Sequence, residues 1–175
     1  MDSGTTPSNT PTPAAGRYHI DPTRTTVRFH TRHLFGLGGV SGTVNLREAD
    51  LTLAESLTLT TLHAVLDAAS FDTGNPRRDD DVRSAKFLDA STYPDITFDG
   101  QTVSQRNGKW VVAGTVTAHG VPAPVDLTLD ELHDNPEELT VRATTRVDRY
   151  AHQVTAGKGM AARWLTIEIT AVATR

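Results

Sequence analysis

Near the end of the chain Leu165, Ile167, Ile169 and Ala171 alternate with Thr166, Glu168 and Thr170. A period of two gives a pleated strand one apolar and one wet face, and suits no helix. The same rhythm runs through Val27 and Phe29, Val44 and Leu46, Ile96 and Phe98, Val125 to Leu129, and Leu139 to Val147. Turn signals punctuate it at Asp21-Pro22, Gly36-Leu37-Gly38-Gly39, Asn107-Gly108, His119-Gly120 and Asp134-Asn135-Pro136. Asn-Gly between two alternating runs predicts a tight hairpin. Leu57 and Leu59 alternate with threonines, but the phase slips before Leu62, Ala64, Leu66 and Ala68, a run that ends at Phe71. That slip predicts a bulge or bend between two halves of a strand. About eight antiparallel strands result, with no βαβ rhythm and no internal repeat. The fold class is all-β, and closing eight strands into a barrel removes the sheet edges.

One stretch breaks the pattern. Asn75 suits a helix N-cap and Pro76 the first helical position, where no N–H is needed. Arg77 with Asp81, and Asp79 with Arg83, stand four apart on a solvated face, and the cluster of Arg77, Arg78, Asp79, Asp80, Asp81 and Arg83 reads as self-paired with one buried Arg–Asp clasp. Val82, Ala85, Phe87 and Leu88 form the apolar side, and Tyr93-Pro94 forbids more helix. A short helix crossing between two strands, over one end of the barrel, is predicted.

Composition narrows the function. The chain of 175 residues suits one domain, residues 16–175, behind a Ser/Thr/Pro arm at 1–15 too polar to bury surface. Seventeen basic and 21 acidic residues, interspersed, leave a net charge of −4 and no footprint for nucleic acid. Cysteine is absent, which removes disulfides and thiolate chemistry. No apolar run is long enough to span a bilayer, so stable membrane insertion is not expected. The first ten residues have neither a basic start nor an apolar stretch, which points to the cytoplasm. Rim surfaces leave room for a homodimer.

Candidate chemistry is sparse. His30 and His33 flank Arg32 beside the glycine bend, as a polar gate or as structural hydrogen-bonding groups. A metal would need a third donor from His119 or His152, and the spacing is not that of a helical zinc motif. Asp79 and Asp80 diverge on a helix, which disfavours paired-carboxylate catalysis. Ser41 lacks the spacing of a nucleophile elbow. The glycine-rich stretches at 36–39 and 157–159 read as turns. Trp110 and Trp164 cap the barrel or stack on a ligand. The inward stripe of Val27, Phe29, Val44, Leu46, Ile96, Phe98, Val141, Leu165, Ile167 and Ile169 lines a tunnel or fills a core, and small residues at Ala64, Ala68, Ala113 and Gly114 leave room along the strands.

Several short motifs, in order, resemble the YceI-like family. They are Tyr18-x-Ile20-Asp21, Val27-x-Phe29 followed by His33, and Thr73 to Phe98 with Arg78-Asp79 and Tyr93-Pro94-x-Ile96-x-Phe98. Gly114 to Val121 and Val147-x-Arg149 complete the set. The resemblance covers residues 17–173. It implies a lipocalin-like barrel around a hydrophobic tunnel, and a non-catalytic carrier for a polyisoprenoid (a polyprenyl quinone or phosphate) or a fatty amphiphile, with no separate cofactor. On that implication the ligand contacts fall to Phe29, His33, Phe35, Val44, Leu46, Phe71, Phe87, Phe98, Trp110, Trp164, Ile167 and Ile169. Two alternatives stay open: an interaction protein with a filled barrel, and a small lipid-modifying enzyme with His33 as its base.

Overall fold

The computed structural model describes residues 12–33, 36–57 and 60–175. Among these residues, nine strands and one α-helix follow in chain order. They are β1 (Gly16–Ile20), β2 (Thr26–His33), β3 (Gly38–Leu53), β4 (Thr61–Asp72), α1 (Pro76–Arg83), β5 (Asp95–Arg106), β6 (Lys109–Ala118), β7 (Val121–Asp134), β8 (Glu138–Asp148) and β9 (Trp164–Thr174). All pairings are antiparallel, and β3–β4 together with β2–β9 close the sheet on itself.

The result is an eight-stranded barrel made from nine strands. β1 pairs with β3 from Gly16↔Leu53 to His19↔Asp50, and β2 continues along β3 from Val27↔Val44 to His33↔Gly38. Both also pair with β9. β1 and β2 are therefore one stave, interrupted by a 3-10 turn at Pro22–Arg24 that Asp21 caps through the Thr23 N–H at 2.8 Å.

Two hairpins follow directly from their turn residues. Asn107 (φ 53°) and Gly108 (φ 76°) join β5 to β6, and His119 (φ 53°) with Gly120 (φ 71°) joins β6 to β7. Two successive left-handed residues give the turn that matches the twist of paired strands. The expected bulge near Leu62 is instead the connection between two strands. β3 ends at Leu53, the Thr60 N–H donates to the Leu57 carbonyl, and β4 starts at Thr61. Thr58 and Leu59, like Phe35 and most of the polar arm, lie outside the described residues. The last residues of that arm approach the barrel: Tyr18 Oη donates to the Ala14 carbonyl at 2.7 Å.

The helix starts as its sequence dictates, with the Asn75 side chain accepting from the Arg78 N–H at 3.2 Å and Pro76 in the first turn. Its charges pair differently from the i,i+4 expectation. Asp79 is buried and accepts from the Thr73 N–H (3.0 Å) and hydroxyl (2.6 Å), while Arg78 Nε donates to that same hydroxyl at 2.8 Å. The clasp between Arg78 and Asp79 thus runs through Thr73. Arg83 reaches Asp80 at 3.8 Å and donates to the Phe71 carbonyl at 2.6 Å, fixing the helix to the end of β4.

The two ends of the barrel differ. At the end holding β1, a packed cluster of Tyr18, Leu53, Trp110, Leu132, Leu139 and Ala173 stoppers the lumen. At the other end sit the β2–β3 bend, α1 and the segment 149–163 that joins β8 to β9.

Candidate functional site

The ten residues of the inward stripe all face one cavity of about 780 Å³. That lies within the roughly 300–1,000 Å³ usual for ligand pockets. Leu46, Leu66, Ile96, Phe98, Val141, Ile167 and Ile169 point into the barrel yet remain only half-buried. A packed core would bury such residues fully. They keep accessible surface because the lumen is open, so the filled-barrel alternative does not describe this structure.

Some wall residues do pack tightly. Phe29 stacks on Phe71 with ring centroids 4.1 Å apart. Gly114 does not widen the tunnel as its size suggests. A Cβ there would meet the Phe98 ring at 2.8 Å, so the glycine makes room for that ring. Trp110 is buried in the stopper at the closed end and forms the floor of the cavity.

The mouth is located by exposure. Of the residues lining the cavity, Arg32, Asp81, Lys86 and Met160 are exposed to solvent, and all four lie at the helix end. His33, Arg78, Phe87, Arg149 and His152 line the cavity nearby. An apolar tube therefore ends in a polar collar with more cations than carboxylates.

Arg149 is the buried keystone of that collar, at 8% exposure. Its guanidinium donates to the carbonyls of Ala162 (2.8 Å), Val154 (2.8 Å), Ala156 (2.7 Å) and Ala161 (2.9 Å). The planar fork suits this task, presenting five donors in fixed directions. Burial pulls its pKa below the ordinary arginine value, against the opposing pull of Tyr150 and Asp148. It also lies over the Phe87 ring at 5.9 Å, joining segment 149–163 to the stretch after α1. His152, 2% exposed, is held by Nδ1 against the Val121 carbonyl at 2.7 Å.

The twelve sequence-predicted contacts separate clearly. Phe29, His33, Val44, Leu46, Phe71, Phe87, Phe98, Trp110, Ile167 and Ile169 line the cavity. Phe35 lies outside the described residues. Trp164 is not on the lining; it stands on the outer surface, 44% exposed, against the guanidiniums of Arg146 (5.0 Å) and Arg163 (5.5 Å). Its parity along β9 matches the outward Thr166 and Glu168, a signal the sequence already carried. Parity also divides the two histidines. Three residues apart on a strand means opposite faces, so His33 faces the lumen and His30 the outer wall.

His30 lies between Ser41 Oγ (2.8 Å) and Glu168 (3.3 Å), cross-strand neighbours on that wall. The trio imitates a hydrolytic triad but stands on the exposed outer wall, away from the lumen. Among the described residues no cluster of three His, Cys, Asp or Glu is placed to hold a metal. Sequence reasoning also missed Arg149 and His152 as wall residues, because they follow the last periodic position of β8.

Comparison with known proteins gives the same architecture. A family model described as a YceI-like domain matches residues 18–173. A UPF0312 protein of Vibrio campbellii is 32% identical over 117 residues, 65% of this chain and 61% of that protein. Protein YceI of Salmonella arizonae is 29% identical over 116 residues, 65% of this chain and 60% of the relative. The match thus spans about three-fifths of the length of these curated relatives. Among solved structures, Burkholderia cenocepacia BcnA gives a TM-score of 0.78 at 23% identity, covering 89% of this chain and 99% of that one. A polyisoprenoid binding domain from Saccharophagus degradans, implicated in plant cell wall breakdown, gives 0.66 at 14% identity, covering 90% and 97%. At such identities the likeness is one of fold.

Proposed function

The chain belongs to the YceI-like family, and from that premise we propose that it is a non-catalytic carrier for one long amphiphile, with a polyisoprenoid as the ligand class. The observation that carries this reading is the open apolar lumen, stoppered at one end and collared with cations at the other. A tail inside the tube gains about 0.8 kcal/mol for each CH₂ taken from water, so affinity grows with tail length and needs no polar contact. The collar of Arg32, His33, Arg78 and Lys86, opposed by Asp81, favours an acidic or strongly polar head group over a neutral one. Arg149 and His152 are already bonded to backbone carbonyls, which suits holding the collar in shape rather than turning a substrate over.

Organic extraction of the purified protein followed by mass spectrometry tests this directly. A polyisoprenoid or a comparable long-tailed lipid in the extract supports the reading. An extract free of lipid, with no binding of added polyprenols of any length, overturns it.

A further inference from the structure

Among the described residues, the large apolar side chains that stand furthest into solvent are Leu37 (87% exposed), Met160 (51%), Trp164 (44%) and Tyr93 (37%). All four belong to the mouth end. The first three share one lip. The Ala162 N–H donates to the Arg32 carbonyl at 2.9 Å, His33 and Ala161 form a bridge, and the Thr31 hydroxyl donates to the Trp164 carbonyl at 3.0 Å. The β2–β3 bend carrying Leu37 is thereby tied to the segment carrying Met160 and Trp164. Met160 also lines the cavity, so this lip runs on into the lumen wall.

The same lip is basic. Arg32, Arg146, Lys158 and Arg163 stand on it with Asp148, which Arg163 holds at 2.8 and 2.6 Å, while Glu168 lies one same-face pair further along the β8–β9 ladder. Arg146 lies on the Trp164 ring and Lys158 over Tyr150 at 5.4 Å. Along the walls and at the closed end most cations are neutralised: Arg24, Arg106, Lys109, Arg142 and Arg175 are each paired to a carboxylate, with Arg17 and Arg28 as exceptions. On the facing lip, Arg77, Arg78, Arg83 and Lys86 share the helix end with Asp79, Asp80 and Asp81, so acids are interspersed among the cations there. A chain of net charge −4 thus gathers cations beside projecting apolar side chains at this mouth.

We propose that this lip docks the protein on an anionic lipid bilayer, with the mouth facing the membrane so that a lipid passes between bilayer and lumen without crossing water. The inference rests on the carrier reading above. Tryptophan favours the depth of the lipid head groups, and Leu37 and Met160 reach the acyl boundary beside it. The cations meet lipid phosphates and carboxylates. The proposed contact is peripheral, and no helix among the described residues is long and apolar enough to cross a membrane. A second copy is a poorer occupant, because a two-fold pairing of this lip opposes like charges.

The test is co-sedimentation of delipidated full-length protein with vesicles of phosphatidylcholine, alone or mixed with phosphatidylglycerol. Binding to the mixed vesicles alone, weakened by salt and accompanied by a blue shift of Trp164 emission, is expected. Arg146→Gln and Lys158→Gln each weaken partitioning about fivefold, the equivalent of about 1 kcal/mol per surface cation. Leu37→Glu weakens it further, while all three variants still hold lipid supplied in detergent. Failure to bind mixed vesicles, binding indifferent to these substitutions, or a lip-dependent dimer in place of vesicle binding each overturns the proposal. Vesicle binding that persists in a protein whose extracts hold no lipid and which takes up no added polyprenol overturns the carrier reading instead.

Discussion

Phe29 and Phe71 lie ring on ring, 17° from parallel, joining the middle of β2 to the end of β4 just before the helix crossing. Gly42 on β3 is the floor beneath them. A Cβ there would meet the Phe29 ring at 2.5 Å and press on the Asp72 carbonyl. Gly42→Ala is therefore expected to cost about 1–3 kcal/mol by overpacking. Phe29→Ala is expected to cost about 3–5 kcal/mol by leaving a hole in a fully buried site. Urea titrations read both, and a Gly42→Ala midpoint equal to that of the parent would refute the packing argument.

The lumen has space where a core has none, so enlarging an inward side chain is tolerated there. Ile167→Trp is expected to leave the denaturation midpoint close to that of the parent while lowering amphiphile affinity by at least about tenfold, roughly two CH₂ groups displaced from the tube. Fluorescence or calorimetric titration with polyprenols of graded length checks it. Undiminished affinity for the longest tail would show that the tail lies elsewhere.

The four carbonyls gathered by Arg149 predict a ranking. Arg149→Met leaves them unsatisfied and is expected to cost about 3 kcal/mol or more. Arg149→Lys recovers part of this, because an ammonium has three donors but no fork. Hydrogen exchange should rise first within residues 154–162 and leave the β5–β6 hairpin unchanged. Uniformly faster exchange across the barrel would remove Arg149 from its role as local keystone.

Asp79 gives a pH dependence of defined sign. Burial alone would raise its pKa, but the bonds from Thr73 and the charge of Arg83 outweigh it and hold the carboxyl below the ordinary value. A group depressed in the folded state adds stability above its unfolded pKa, about 4, and loses that contribution as pH falls through the lower folded value. The stability gap between the parent and Asp79→Asn is thus expected to be full at neutral pH and to close below about pH 4. A gap that widens on acidification would contradict the assignment.

Much of this architecture is legible in the chain, for reasons that can be named. Period-two alternation marks the staves, and the Asn107-Gly108 and His119-Gly120 pairs mark hairpins through local conformational preference. Asn75-Pro76 announces the helix because capping is also local. What stays hidden is non-local. Nothing between Gly16 and His33 states that β1 and β2 occupy one stave, since the fact lies in their shared partners β3 and β9. Arg149 follows a strand's last periodic residue, and its role exists only because segment 154–162 folds back around it. Trp164 is different: its parity already placed it outside, and its aromatic character drew attention inward.

An apolar hollow of this size is also expected to make the unloaded barrel soft under compression. Hydrostatic pressure favours whichever state eliminates voids, and the volume lost on unfolding scales with them. The unloaded protein should therefore give way at lower pressure than the loaded one, in which the tail occupies the cavity of about 780 Å³. Equal unfolding pressures for the two would mean that solvent already fills the tube.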